Sequence, residues 1–229
     1  MNKKIIYILV VVIGVVLVGW IILSNNENKS AQNSLIPAPV PAVVQKNSDT
    51  SALTLGDAQA PVTIVEYGHF KCPFCNRFFR EVEPQIEEGY IKTGKVKFIW
   101  KDFPYEGGDS VRASEAAYCS QDQGKFWEYR NILFNHIWEN YYNKGLNAEE
   151  AEIFTAVKLK ELAGQIGLDT AEFSSCLDTA KYKQLVQDNY NEGISKGVKS
   201  TPTFFINGQK VVGAQSFSLF SKIIDSQLK

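Results

Sequence analysis

The strongest constraint on this chain is a change of hydrophobic period across one tetrapeptide. Val62-Thr63-Ile64-Val65-Glu66-Tyr67 reads as a short apolar strand ending at Gly68. Cys72-Pro73-Phe74-Cys75 follows. From there Phe74, Phe78, Val82 and Ile86 recur every four residues, as on one face of a helix. Proline suits the first helical turn, where its missing N–H is no loss, so the helix is expected to open at Cys72. Pro84 should kink it. A strand feeding such a helix points to an α/β fold.

The rest of the chain extends that layout. Lys95–Trp100 is a second strand, closed by Asp102-Phe103-Pro104. Residues 110–121 and 125–139 each look helical, with Gly124 between them, and 149–166, 169–178 and 180–196 continue the trend. Thr203–Ile206 and Gln209–Val212 flank Asn207-Gly208, a hairpin signal. Phe217, Phe220, Ile223 and Ile224 mark the inner face of a last helix. Strand, helix, strand, a long helical stretch, hairpin and helix form a thioredoxin-like order with a large helical insertion, about 105–198. No internal repeat is present.

The N-terminus carries a separate signal. After Lys3 and Lys4, Ile5 to Leu23 runs for 19 residues without a charge. As a helix it would reach about 28 Å, close to a bilayer's hydrocarbon thickness. Trp20 lies near its far end, and the lysines should stay cytoplasmic. Residues 1–23 are therefore expected to be a transmembrane signal-anchor. The alternative is a cleaved signal peptide followed by secretion, although Ser24-Asn25-Asn26-Glu27 offers no small-residue cleavage site. Residues 24–50 read as a linker with Pro37, Pro39 and Pro41, which favour extended backbone. The globular domain is expected over 51–229, outside the cytoplasm.

Composition narrows the function. The formal net charge of −1 gives no field for nucleic acid, and 45% hydrophobic residues suit a packed core. Four cysteines are too few for a disulfide scaffold: one CxxC and the distant pair Cys119 and Cys176. No phosphate loop, Ser-His-Asp set or acidic metal cluster stands out, and no cofactor is expected. The aromatic stretch from Phe126 to Tyr142, with His136 inside it, has helical spacing and reads as core.

The CxxC carries the chemistry. A thiolate attacks disulfides, and unpaired N–H groups at a helix start favour the thiolate. A second cysteine one turn later can resolve the mixed disulfide. His69-x-x-Cys72-x-x-Cys75 also has ligand-like spacing, which leaves a metal- or peptide-binding module as an alternative from another class, although a structural zinc site wants four ligands. His69 otherwise reads as a loop histidine. Glu66 shares a strand face with Val62 and Ile64, so it is either a buried acid or a glutamate at a strand end. Lys97 or Lys101 on the next strand could pair with it.

Residues 52–229 resemble the DsbA-like family of exported disulfide oxidoreductases. The resemblance lies in Ala60–Glu66 before the CPFC motif, Lys101–Pro104, Gly124–Trp127 and Gly197–Gly208. It implies that Cys72 is the exposed, attacking cysteine and Cys75 the buried, resolving one. It implies that Pro73, Phe74, Glu66, Thr201 and Pro202 support them. Glu66 would exchange protons with Cys75. Thr201-Pro202 would be a cis bond beside the sulfurs, with the Thr201 backbone free to pair with an extended substrate, where an ordinary trans proline would merely start a strand. Cys119 and Cys176, otherwise two buried thiols, would form a bridge.

The resemblance further implies exported proteins with cysteine thiols as substrates, and a membrane quinone-linked thiol oxidase, DsbB-like or VKOR-like, as re-oxidant. Two departures bear on the potential. Phe74 stands where strong oxidants of the family carry His, and His69 where relatives often carry Asp. A potential between about −270 mV, as in thioredoxin, and about −120 mV, as in DsbA, follows as an expectation. Net oxidation is favoured, and a reductase or isomerase is the alternative.

Overall fold

The computed structural model describes residues 53–104 and 107–229. Its sheet has five strands: β1 (Thr54–Leu55), β2 (Val62–Gly68), β3 (Val96–Asp102), β4 (Thr203–Ile206) and β5 (Gln209–Val212). Their order is β1-β3-β2-β4-β5. Only β2 and β3 run parallel; every other neighbouring pair is antiparallel. The strand β1 is too short to show a period, and its sequence gave no signal. The helices are α1 (Pro73–Glu81), α2 (Glu83–Ile86), α3 (Gly107–Gln121), α4 (Phe126–Asn140), α5 (Ala156–Gln165), α6 (Thr170–Asp178), α7 (Lys183–Ser195) and α8 (Phe217–Gln227).

Alternation along the strands sorts side chains onto two faces. Val62, Ile64, Phe98, Phe204 and Ile206 face a core completed by Phe78, Val82 and Ile86 and by Phe220, Ile223 and Ile224 of α8. On the other face Tyr67, Phe103 and Val198 pack with Val65, Tyr190 and Phe205. Gly193 lets α7 approach closely there, because a Cβ on it would meet the Phe103 ring at 2.6 Å. A second core fills the helical insertion and includes Tyr118, Phe126, Tyr129, Phe134, Phe154, Leu159 and Phe173.

Some sequence expectations need correction. Phe74 does not join the inner stripe of α1 and is 52% exposed. The break comes at Val82, and Pro84 then lies in the first turn of the short α2. That proline lacks the N–H that would have continued the α1 ladder. The helix expected from residue 149 starts only at Ala156, where the Thr155 hydroxyl caps it by accepting the Lys158 N–H at 3.2 Å. The preceding loop is held instead by Asp109, whose carboxylate accepts the N–H groups of Ile153 and Phe154. The hairpin turn forms as its sequence suggests, with positive φ at both Asn207 and Gly208.

Among the described residues no helix is long and apolar enough to cross a membrane. The anchor expected over 1–23 and the linker over 24–50 lie outside the described residues.

Candidate active site

The end of β2 and the start of α1 build the site. Cys72 is the N-cap of α1 with extended backbone, and Pro73 takes the first helical position. The Cys72 sulfur accepts the N–H of Cys75 at 3.2 Å. Gly68 lets this turn sit tightly on the sheet, since a Cβ there would meet Trp100 at 2.8 Å and the Cys75 sulfur at 3.2 Å. Asn76, buried in the first turn, donates to the Phe134 carbonyl at 2.8 Å and ties α1 to α4.

Thr201 and Pro202 come to the same place from the far end of the chain. Their peptide bond is cis, and the Cys72 thiol donates to the Thr201 carbonyl oxygen at 3.4 Å. The attacking cysteine implied by the resemblance is less open than expected: Cys72 is only 2% exposed and Cys75 is fully buried. Both are free thiols.

The two sulfurs are electrostatically unlike. Burial alone would raise the Cys72 pKa, but the Cys75 thiol, the Thr201 side chain and the N–H groups of Cys75 and Phe74 outweigh it and hold the thiol below its ordinary value. Cys75 is pushed well up, first by burial, then by its hydrogen bond to Cys72 and by the charges of Cys72 and Glu66. One sulfur is set to be a thiolate and the other a thiol.

Glu66 is fully buried beneath them, between Trp100 of β3 and Phe204 of β4 in the sheet register. Burial drives its pKa well above the usual carboxylate range, against the pull of Arg130. Its cationic partner is neither of the lysines suggested by the sequence. Lys97 bonds the Ala58 carbonyl, and Lys101 bonds Asn189 and Glu192. Lys97 and Lys101 alternate onto the opposite sheet face from Glu66's neighbour Trp100, because side chains one residue apart point to opposite sides. The partner is Arg130 of α4, fully buried and 3.4 Å from Glu66.

Sequence reasoning missed Arg130 and its second partner Glu83. The available signal was a single arginine inside the aromatic stretch Phe126–Phe134, where a charge needs a buried partner.

His69 also departs from expectation. It lies in a loop but is buried, with Nδ1 3.3 Å from the Ser110 hydroxyl. Burial, helped by the Lys71 charge, lowers its pKa to about 3. It is neutral near pH 7 and supplies no positive charge in place of the missing imidazole. Among the described residues no set of three His, Cys, Asp or Glu side chains converges as a metal site requires, so the His69-x-x-Cys72-x-x-Cys75 spacing does not become a ligand cluster. Lys71, beside Cys72, is buried and ion-pairs with Asp109 at 3.0 Å. Cys119 of α3 and Cys176 of α6 are joined as a disulfide with a Cα separation of 5.8 Å.

A stabilised sulfur nucleophile, a buried second thiol and a buried acid under them suit thiol–disulfide exchange. Comparisons with known proteins agree. A family model described as Thioredoxin matches residues 48–226. The probable disulfide bond formation protein D of Bacillus anthracis is 30% identical over 179 residues, covering 77% of this chain and 78% of that protein. The crystal structure of oxidised BdbD from Bacillus subtilis matches with a TM-score of 0.67 at 25% identity, covering 77% of this chain and 92% of that one. The crystal structure of α-DsbA1 from Wolbachia pipientis matches with a TM-score of 0.65 at 28% identity, covering 77% and 90%.

Proposed function

This chain belongs to the DsbA-like thiol:disulfide oxidoreductases of the thioredoxin superfamily, and on that premise we propose that it oxidises cysteine pairs of exported proteins through Cys72 and Cys75. A substrate thiolate attacks the Cys72 sulfur of the Cys72–Cys75 disulfide. That S–S bond breaks, a mixed disulfide forms, and Cys75 leaves with a proton from Glu66. A second substrate thiolate attacks the substrate sulfur of the mixed disulfide and expels Cys72 as a thiolate. The substrate loses two electrons and the enzyme, now a dithiol, holds them. A membrane quinone-linked thiol oxidase, DsbB-like or VKOR-like, accepts those electrons in turn.

The observation that carries the direction is the setting of Cys72. Its sulfur accepts the Cys75 N–H at the start of α1, and its pKa lies below the ordinary thiol value. A stabilised thiolate is a good leaving group and favours the reduced enzyme, which makes the disulfide form an oxidant. One observation favours the reductase or isomerase reading: Phe74 adds neither charge nor a side-chain N–H between the cysteines. Thiol trapping in living cells decides between them. A Cys72–Cys75 pair mostly oxidised at steady state supports the oxidase, and a mostly reduced pair overturns it.

The proposed setting is extracytoplasmic. Residues 1–23 would hold the protein in the membrane, 24–50 would act as the tether, and 51–229 would work outside the cytoplasm. Lys3, Lys4 and the uncharged run Ile5–Leu23 support this orientation. Protease added to cells with the outer surface opened should digest 51–229; a protected domain reverses the topology.

A further inference from the structure

Arg130 lies between two carboxylates and serves them unequally. Its Nη1 and Nη2 meet both oxygens of Glu83 at 2.8 and 2.6 Å, a two-pronged fork. Glu66 receives one contact at 3.4 Å, and its Oε1 has no hydrogen bond among the described residues. We propose that Glu83 is a positioning residue: by engaging the Arg130 guanidinium it leaves Glu66 protonated and so able to exchange a proton with Cys75. The inference rests on the reading of Glu66 as the proton partner of Cys75.

The surroundings decide which carboxylate gives up its charge. Five rings enclose the guanidinium: Phe79 of α1, Phe98 and Trp100 of β3, and Trp127 and Phe134 of α4, with centroids 4.8 to 5.9 Å away. In such a chamber one cation balances one anion, and a second anion is costly. Glu83 is 6% exposed and borders a surface cleft of about 370 Å³ lined also by Arg80, Pro84 and Glu87. It therefore has an edge on solvent. Glu66 has no such outlet. The charged or titratable groups acting on it are Arg130 from α4, Glu83 from α2 and Cys72 from the start of α1; it acts in turn on Cys75.

The geometry also says what removing Glu83 does. Glu83→Gln leaves the Arg130 charge uncompensated, so Glu66 must ionise to balance it. Replacing both members of the neutral pair, as Glu83→Leu with Arg130→Met, leaves Glu66 as uncharged as before. A buried pair replaced by apolar residues of similar volume is usually tolerated.

The test titrates full-length reduced protein labelled with carboxyl-13C glutamate, by NMR, together with the pH profile of the step in which Cys75 attacks a Cys72 mixed disulfide and releases the substrate thiol. Beside that of Glu115, which burial also raises, the wild type should show one raised carboxyl titration that is lost in Glu66→Gln. In Glu83→Gln its midpoint, and the midpoint of the release profile, should fall by about one pH unit or more, a tenfold change. In the double variant both should stay within about half a unit of wild type. An unmoved midpoint in folded Glu83→Gln overturns the proposal. So does a rise of about a unit in the double variant, which would mean that the pull of Arg130 on Glu66 persists despite its pairing with Glu83. If Glu83→Gln does not fold, the double variant decides alone. If no raised titration is lost in Glu66→Gln, the reading of Glu66 itself is overturned, and this one with it.

Discussion

The thiol of Cys72 donates to the carbonyl oxygen of Thr201 across 3.4 Å, joining the start of the active-site helix to a residue 129 positions later. Once Cys72 enters a disulfide its sulfur has no proton to donate. The Thr201 carbonyl then needs another donor, and an extended substrate chain on Cys72 can supply a backbone N–H. We propose that the carbonyl bonded by the free thiol is the one that pairs with an extended substrate.

The roles of the two cysteines follow from their unlike settings. Cys72→Ser should reduce disulfide transfer to the uncatalysed rate, because no other stabilised sulfur faces Thr201. Cys75→Ser should accumulate mixed disulfides on Cys72. Oxidation of a reduced test protein, with non-reducing gels, checks both. Transfer by Cys72→Ser at the wild-type rate would remove Cys72 from the mechanism.

Phe74 is the simplest handle on oxidising strength. Its ring is 52% exposed beside the Arg77 guanidinium, so a change there should leave the core intact. Phe74→His places an N–H donor, positive when protonated, near the Cys72 thiolate. The Cys72 pKa should fall and the potential should become more oxidising, by about 30 mV for each tenfold gain in the thiolate's stabilisation. Equilibration with glutathione buffers measures it. A shift toward a more reducing potential would contradict the account of Cys72.

His69 makes stability depend on acid. In the folded protein its pKa is about 3, while an unfolded chain's histidine titrates near ~6.5. Below pH ~6.5 the unfolded state binds the proton first, so stability falls as pH falls, by up to about 1.4 kcal/mol per pH unit, until the folded value is reached. Asp109 and Glu192 have lowered values and add loss in the carboxylate range. The histidine share is isolated by comparison with His69→Asn in urea unfolding at pH 6.5 and pH 5. The variant should lose less stability over that interval than the wild type. Equal losses would mean His69 is protonated in the fold.

What the sequence made legible was what local pattern encodes. The opening of a helix at Cys72, the Asn207-Gly208 turn and the stripe Phe220, Ile223 and Ile224 each describe contacts with near neighbours or one buried face, and each appears in the structure as read. Acid partners are another matter. Glu66 and Arg130 are 64 residues apart, and only the packing of α4 across the sheet brings them together. A place on the next strand made Lys97 and Lys101 candidate partners, yet both bond elsewhere. The burial of His69 arises similarly, from α3 placing Ser110 against its ring. Tertiary placement also overrode the helical period at Phe74, which falls on the apolar stripe but ahead of any surface that could cover it.

The disulfide between Cys119 and Cys176 should behave as a fixture separate from the redox pair. It joins α3 to α6 within the helical core, and both cysteines are buried. A bridge supported by packed helices resists reduction more than a CxxC pair at a helix start. Closing the 57-residue separation should contribute roughly 4 kcal/mol by limiting the unfolded chain. Cys119→Ala with Cys176→Ala should therefore lower the thermal midpoint by several degrees or more. Disulfide transfer at 25 °C should continue, because Cys72, Cys75, Glu66 and Thr201 lie on other elements. Mass spectrometry after graded dithiothreitol treatment and differential alkylation gives the independent readout. Cys72 and Cys75 should be alkylated at low reductant while Cys119 and Cys176 remain joined. If all four cysteines label together, the bridge is no more stable than the active pair, and its structural role is lost.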